Sequence, residues 1–237
     1  MIAAQATFAG TTDDGIDDSH YLAYGERFAD YTKVCAVVDS DGTLSLSTAV
    51  LLADQWAITA AHVVLNAATA VVDGHRVDRV FVHHEFDPNH VGRNDIAMLR
   101  LAERFSNPWY PPISTDPANE HVGDVCLVAG FGIHGPMSQG YRDADGRLRA
   151  GTQTIERFEN GVIVCLGRRR SSAMEMLISP GDSGGPLFLD GRLAGINSFT
   201  SKDADGRPLR SREGEESGHT RVSLHAEWIR GVMESER

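Results

Sequence analysis

The sequence predicts an all-β protein, a sandwich or a set of barrels, closed by one C-terminal helix. Short apolar runs recur at even spacing along most of the chain, which is the pattern of many short strands. Asp-Gly pairs at 41–42, 73–74, 145–146, 190–191 and 205–206 flank those runs and are strong hairpin signals. A helical period shows mainly near the end of the chain.

The first 20 residues, rich in Gly, Thr and Asp, predict no regular structure. Val34–Val38, Ala49–Leu52, Trp56–Thr59, Val77–Val82 and Ile96–Leu101 read as a first group of strands. The stretch 107–117 carries Pro108, Pro111, Pro112 and Pro117; proline ends strands, and this stretch is taken as the crossing between two barrels. Val125–Ala129, Val162–Leu166, Leu187–Leu189 and Leu193–Ile196 form the second group. The polar stretch 202–218, with Glu213, Glu215 and Glu216, predicts an exposed loop. Val222, Ala226, Ile229 and Met233 then step by three and four, with Ser223 as a candidate cap.

With 237 residues, 41% hydrophobic and 23% charged, the chain can bury a large core without metals or disulfides. No apolar run approaches the roughly 20 residues a membrane helix needs. A net charge of −11 repels phosphate backbones and argues against nucleic acid as a partner. Arg168, Arg169 and Arg170 read as a solvated loop. Ala4-Gln5-Ala6 has the small-residue look of a leader's end, but no apolar stretch of proper length precedes it. The expected location is therefore secreted or periplasmic if a leader was removed, and cytoplasmic if the chain is complete.

Acyl transfer needs a nucleophile, a base, a carboxylate to orient the base, and donors for the oxyanion. In Gly181-Asp182-Ser183-Gly184-Gly185-Pro186, glycines on both sides of a serine allow a tight turn with its amides near a substrate carbonyl. Trp56–His62 ends an apolar strand on a histidine behind small residues. Alone, such a histidine is more often structural. Asn94-Asp95 opens the apolar strand Ile96–Leu99; a carboxylate entering a core needs a polar partner, and His62 would serve. Asp95 by itself could equally be a turn residue.

Thr59–His62, Asn94–Leu99 and Gly181–Leu187, as TAAH, NDIAML and GDSGGPL, resemble the three signature segments of the trypsin/chymotrypsin-like serine peptidases, in the family's order. Gly195–Ser198 resembles the strand lining the specificity pocket, and Thr220–Ser223 with Trp228-Ile229 resembles the final strand and helix. The resemblance runs from about Val34 to the C-terminus. It implies two six-stranded antiparallel β-barrels with a C-terminal α-helix: one domain over 1–237, the barrels at about 21–115 and 120–221, the helix at about 222–233. It implies a serine endopeptidase with Ser183 as nucleophile, His62 as general base, Asp95 as its orienting carboxylate, and the amides of Gly181 and Ser183 as the oxyanion hole. Ser198 would line the substrate strand and touch Asp95. A protein or peptide substrate follows, and an inhibitor protein or an activating protease is compatible with it. The alternative is a catalytically silent binding module on the same barrels, since fold does not fix function.

The chain also departs from that family, as a bacterial-type member lacking the usual disulfides would. Val63 and Ser47 stand where the histidine-loop disulfide would be. Cys126 and Cys165 match half-cystines whose usual partners are missing, and Cys35 has no counterpart. Free buried thiols are expected, with a Cys126–Cys165 bridge as the alternative. Counting back six residues from Ser183 reaches Leu177, beside Ile178, where a trypsin-like pocket would carry an aspartate; Thr200 after Phe199 replaces a frequent glycine. These residues predict cleavage after apolar or small side chains. His83, His84 and His90 lack tight ligand spacing and read as a surface loop with no metal, and no cofactor follows from the sequence. Asp182 is the expected activation carboxylate. Its partner would be an α-amino group freed by a cut after Thr7, at Phe8-Ala9-Gly10, or else backbone donors.

Overall fold

The computed structural model describes residues 10–90, 92–106, 109–201 and 208–236. Two closed six-stranded barrels dominate it. The first is built from β2 (Thr32–Asp39), β3 (Leu44–Ala53), β4 (Trp56–Thr59), β5 (Ala67–Val72), β6 (His75–Val82) and β7 (Ala97–Leu101). They join in the order β2-β3-β4-β7-β6-β5. A short helix α2 (Ala61–Val64) follows β4.

The second barrel is β8 (Val125–Gly130), β10 (Arg149–Glu159), β11 (Val162–Leu166), β13 (Pro186–Leu189), β14 (Arg192–Ser201) and β15 (Glu216–Arg221), closed in the order β10-β11-β15-β14-β13-β8. All of its strand pairs are antiparallel, as are those of the first barrel. Closure removes the unpaired edges that would otherwise invite aggregation. The β5–β6 and β13–β14 hairpins turn on Asp73-Gly74 and Asp190-Gly191, where both residues have positive φ, the backbone a tight primed turn demands.

The first core gathers Val50, Leu51, Ile58, Met98 and Leu99 around Cys35. The second gathers Val128, Ile155, Ile163 and Leu187 around Cys126 and Cys165. A 3₁₀ turn at Val222–His225 leads into α3 (Ala226–Ser235), whose Ile229, Trp228, Val232 and Met233 pack on the first core. Ser223 does not cap this helix. His225 stands at the N-cap, with no side-chain cap bond, and Ser223 lies buried in the preceding turn.

Three further expectations need correction. The N-terminal segment is regular: β1 (Thr11–Thr12) joins β9 (Gly135–Pro136) and β12 (Met176–Leu177) in a small sheet, and α1 (Asp18–Glu26) follows. Helix α1 is fastened by polar contacts. Arg149, fully buried, forks onto both oxygens of Asp18 and of Asp145, and the Tyr21 hydroxyl donates to the Glu175 carbonyl at 3.1 Å. The stretch predicted as an exposed loop at 202–218 contains buried Ser211, Glu215 and Ser217 and the start of β15; residues 202–207 lie outside the described residues. His83 is buried, stacked on His84 and edge-on to His225 and Trp228, whereas His84 and His90 are exposed.

Arg168, Arg169 and Arg170 are exposed as expected, the first two paired with Glu156 and Glu213. All three cysteines are buried free thiols. Cys126 and Cys165 lie on β8 and β11, which flank β10, with their sulfurs 3.8 Å apart; a bond requires about 2.05 Å. Thiol titration of the denatured, unreduced protein should find three free thiols; finding one would mean the bridge forms.

Candidate active site

Strand β4 runs through buried Trp56, Ala57, Ile58 and Thr59 to deliver His62 at its end. Ala60 and Ala61, both fully buried, let the chain turn there without a bulky side chain. Asp95, just before β7, is 2% exposed. Strands β4 and β7 pair, with Thr59 opposite Ala97, so the two residues arrive together. The Asp95 carboxylate accepts the His62 amide at 2.8 Å on one oxygen, and the other lies 2.7 Å from His62 Nδ1. Ser198 of β14 donates its hydroxyl to that second oxygen. Burial alone would raise the Asp95 pKa. The His62 ring bond and charge, the Ser198 hydroxyl and the His62 amide outweigh it and hold the carboxyl below its ordinary range. An ionised Asp95 keeps the Nδ1 proton facing it, which leaves Nε2 free to accept one. The His62 side chain is 39% exposed, so a substrate can reach it.

The turn 181–185 packs against the end of the same strand. A methyl group on Gly184, whose φ is +82°, would come within 1.9 Å of Thr59 Oγ1 and 2.2 Å of the Thr48 carbonyl oxygen; only glycine fits. The amides of Asp182, Gly184 and Gly185 donate to Ser179, Asn197 and Asp182 carbonyls. Among the described residues, the amides of Gly181 and Ser183 donate to no protein acceptor. Ser183 itself is partly exposed, and Gly181 is buried.

Asp182 points away from solvent and is fully buried. One oxygen accepts the amides of Gly10 and Ser179, each at 2.8 Å, and the other the amide of Gly132 at 2.8 Å. Phe8 and Ala9 of the expected activation segment lie outside the described residues; of that segment, the Gly10 N–H is what meets Asp182. Burial pushes the Asp182 pKa up to about 6 against these hydrogen bonds.

Leu177 and Ile178 are buried at the end of β12 and just after it, and Ser198 is also buried on β14. Phe199 and Thr200 are half-buried. The Phe199 ring lies over Gly92 and Gly218. A hollow lined by His62, Phe86, Pro88, Gly92, Asp95 and Ser198 opens beside the imidazole. The structure thus unites His62, Asp95 and Ser198 by direct bonds, and sets the serine turn against the histidine strand. Sequence reasoning missed Asn197, whose N–H and C=O bond Gly185 and Gly184 and whose side-chain amide donates to the Ala129 carbonyl at 3.1 Å. A polar residue inside the run Gly195-Ile196-Asn197 was the available signal, because a buried amide needs partners.

The trypsin family model matches residues 25–229, and the chain belongs to the trypsin family. It is 24% identical over 223 residues to the chymase of Mus musculus, covering 86% of this chain and 85% of that one. Cathepsin G of Mus musculus is 26% identical over 220 residues, with 83% and 78% covered. Among solved structures, a collagenase superposes with a TM-score of 0.70 at 20% identity over 90% of this chain and 97% of the other. An inactivated protease paralogue of the scabies mite does so with a TM-score of 0.65 at 16% identity over 88% and 96%. The relatives found in this family are serine proteases, which act on proteins and peptides.

The two carboxylates should titrate in opposite senses. The Asp182 folded pKa lies above its ordinary 3.8, so the stability it contributes is full below that value and is lost as pH rises through about 6. Asp95, held below its ordinary value, contributes above it and loses that contribution as pH falls. Carboxyl-carbon NMR titration should place Asp182 near 6 and Asp95 below the usual range, and Ser198→Ala should move Asp95 upward. Coincident, ordinary midpoints would refute this description.

Proposed function

We propose that the chain is a serine endopeptidase in which Ser183 attacks the scissile carbonyl. The observation that carries this is the doubly bonded His62–Asp95 pair beside a serine turn with two free amides. His62 Nε2 takes the Ser183 hydroxyl proton as Oγ bonds to carbon, and the amides of Gly181 and Ser183 receive the oxyanion. The tetrahedral adduct collapses, His62 returns the proton to the leaving amine, and an acyl-enzyme remains on Ser183. Water repeats the sequence to release it. Asp95 stays ionised and steadies the imidazolium. Asp182, as activation carboxylate, couples the N-terminal segment to the oxyanion amides through Gly10.

Leu177, Ile178, Ser198, Phe199 and Thr200 form the substrate-binding set in this reading. Leu177 and Ile178 offer a cationic side chain no counter-charge, and burying one there is unfavourable. Cleavage should fall after apolar or small residues. A peptide-library profile tests this, and a dominant Arg or Lys signature would overturn it.

Ser183→Ala and His62→Ala should each lower kcat by about 10⁶-fold with the far-ultraviolet spectrum unchanged, and Ser183→Ala should abolish fluorophosphonate labelling. Near-normal hydrolysis by Ser183→Ala would refute the assignment. A wild-type chain that binds peptides but neither hydrolyses them nor takes the label would be a silent binding module.

A further inference from the structure

Thr48 lies on β3 in the first barrel, fully buried, and all of its polar groups are used. Its N–H donates to the Ser183 carbonyl at 2.9 Å. Its hydroxyl donates to the Gly181 carbonyl at 2.9 Å and accepts the Phe131 amide at 3.2 Å. Its carbonyl accepts the Thr59 hydroxyl at 2.8 Å, three residues before His62 on the strand that delivers the imidazole. One residue therefore holds the carbonyls of both amino acids whose amides are free, and ties them to the histidine strand.

The geometry of peptide planes gives this a consequence. Each amide is coplanar with the carbonyl of the residue before it. The Gly181 N–H shares a plane with the Pro180 carbonyl, which accepts the Ile133 amide. The Ser183 N–H shares one with the Asp182 carbonyl, which accepts the Gly185 amide. Between them lies the Gly181–Asp182 plane, which joins the two planes that carry the free N–H groups. Its amide end is held by the Ser179 carbonyl, and its carbonyl end by the Thr48 hydroxyl. Gly181 has no Cβ to restrict rotation, so that hydroxyl is the restraint that a side chain would otherwise supply.

We infer that Thr48 is a positioning residue for the oxyanion amides, acting through the Gly181 carbonyl without touching substrate. The inference rests on the peptidase reading of the site. Removing a whole oxyanion donor costs about 10²–10³ in rate, and misaiming one costs a part of that. Thr48→Val keeps the shape and deletes the hydroxyl. Per titrated active site it should lower kcat about 10- to 100-fold with KM within about two-fold, because the loss falls on the transition state. The fluorophosphonate reaction should slow in parallel, since its phosphoryl oxygen enters the same amides as Ser183 Oγ bonds to phosphorus, fluoride leaves and His62 takes the proton. Thr48→Ser should restore both rates to within about three-fold of wild type, as it returns the hydroxyl.

A hydroxyl that only completed packing would lower the melting temperature of Thr48→Val and leave kcat per titrated site unchanged, and that result overturns the inference. So does a Thr48→Ser chain as slow as Thr48→Val. Should Thr48→Val fail to fold, Thr48→Ala carries the same comparison with no added bulk. Nitrogen-15 relaxation on the full chain separates this inference from the peptidase reading. Order at the Gly181 and Ser183 amides should fall in the variant while Val164 in β11 stays rigid, whether or not the wild type hydrolyses peptides. Unchanged order at both amides would overturn the inference even in an active enzyme.

Discussion

The buried carboxylate of Asp182 organises the turn that carries Ser183, and much of the second barrel's surroundings can be understood from its needs. An ionised group removed from water must find donors, and here they are backbone amides from three places, Gly10 at the N-terminal segment, Gly132 after β8 and Ser179 on its own loop, with the Ser179 hydroxyl beside them at 3.3 Å. The small sheet of β1, β9 and β12 exists where those segments converge. Arg149 and Tyr21 hold the N-terminal segment in place from further along the chain. With its side chain drawn inward, Asp182 sits between two residues, Gly181 and Ser183, whose amides donate to no protein acceptor among the described residues.

Asp95 meets the same cost differently. It too is buried, but its neighbours are an imidazole and a hydroxyl as well as an amide, and the charge of His62 helps hold it ionised. Asp182 has hydrogen bonds from uncharged groups, so desolvation prevails and its pKa rises. Two aspartates in one site thus acquire opposite electrostatic characters from the kind of donor each receives. One holds an imidazole; the other orders a backbone.

Most of the barrel strands were legible because their signals are local: apolar runs ended by Asp-Gly turns and, in TAAH, NDIAML and GDSGGPL, short motifs that each sit on one element. Helix α1 was not, although Asp17 caps it. It buries Tyr21, Leu22 and Gly25 and lacks the long apolar stripe that periodicity detects, docking through an ion pair and a hydroxyl whose partners lie far along the chain. Ser211, Glu215 and Ser217 misled for a related reason. Polar residues near a loop read as exposed, yet Ser217 sits in the second barrel's wall, where it meets His219 and Gln153, and Ser211 and Glu215 are buried in the segment leading into β15. Asn197 and Thr48 stayed hidden because most of their partners are main-chain atoms, which no side-chain pattern records.

The buried thiols give each barrel its own reporter of motion. Cys35 belongs to the first core, and Cys126 and Cys165 to the second. Burial pushes the Cys35 pKa up to about 12, and the Cys126 contact together with burial raises that of Cys165. Thiolate, the species that reacts with alkylating reagents, is therefore scarce while either barrel is closed. Modification must wait for local opening, so the rates at Cys35 and at the Cys126–Cys165 pair would give the opening free energies of the two halves separately, within one chain and without an added probe.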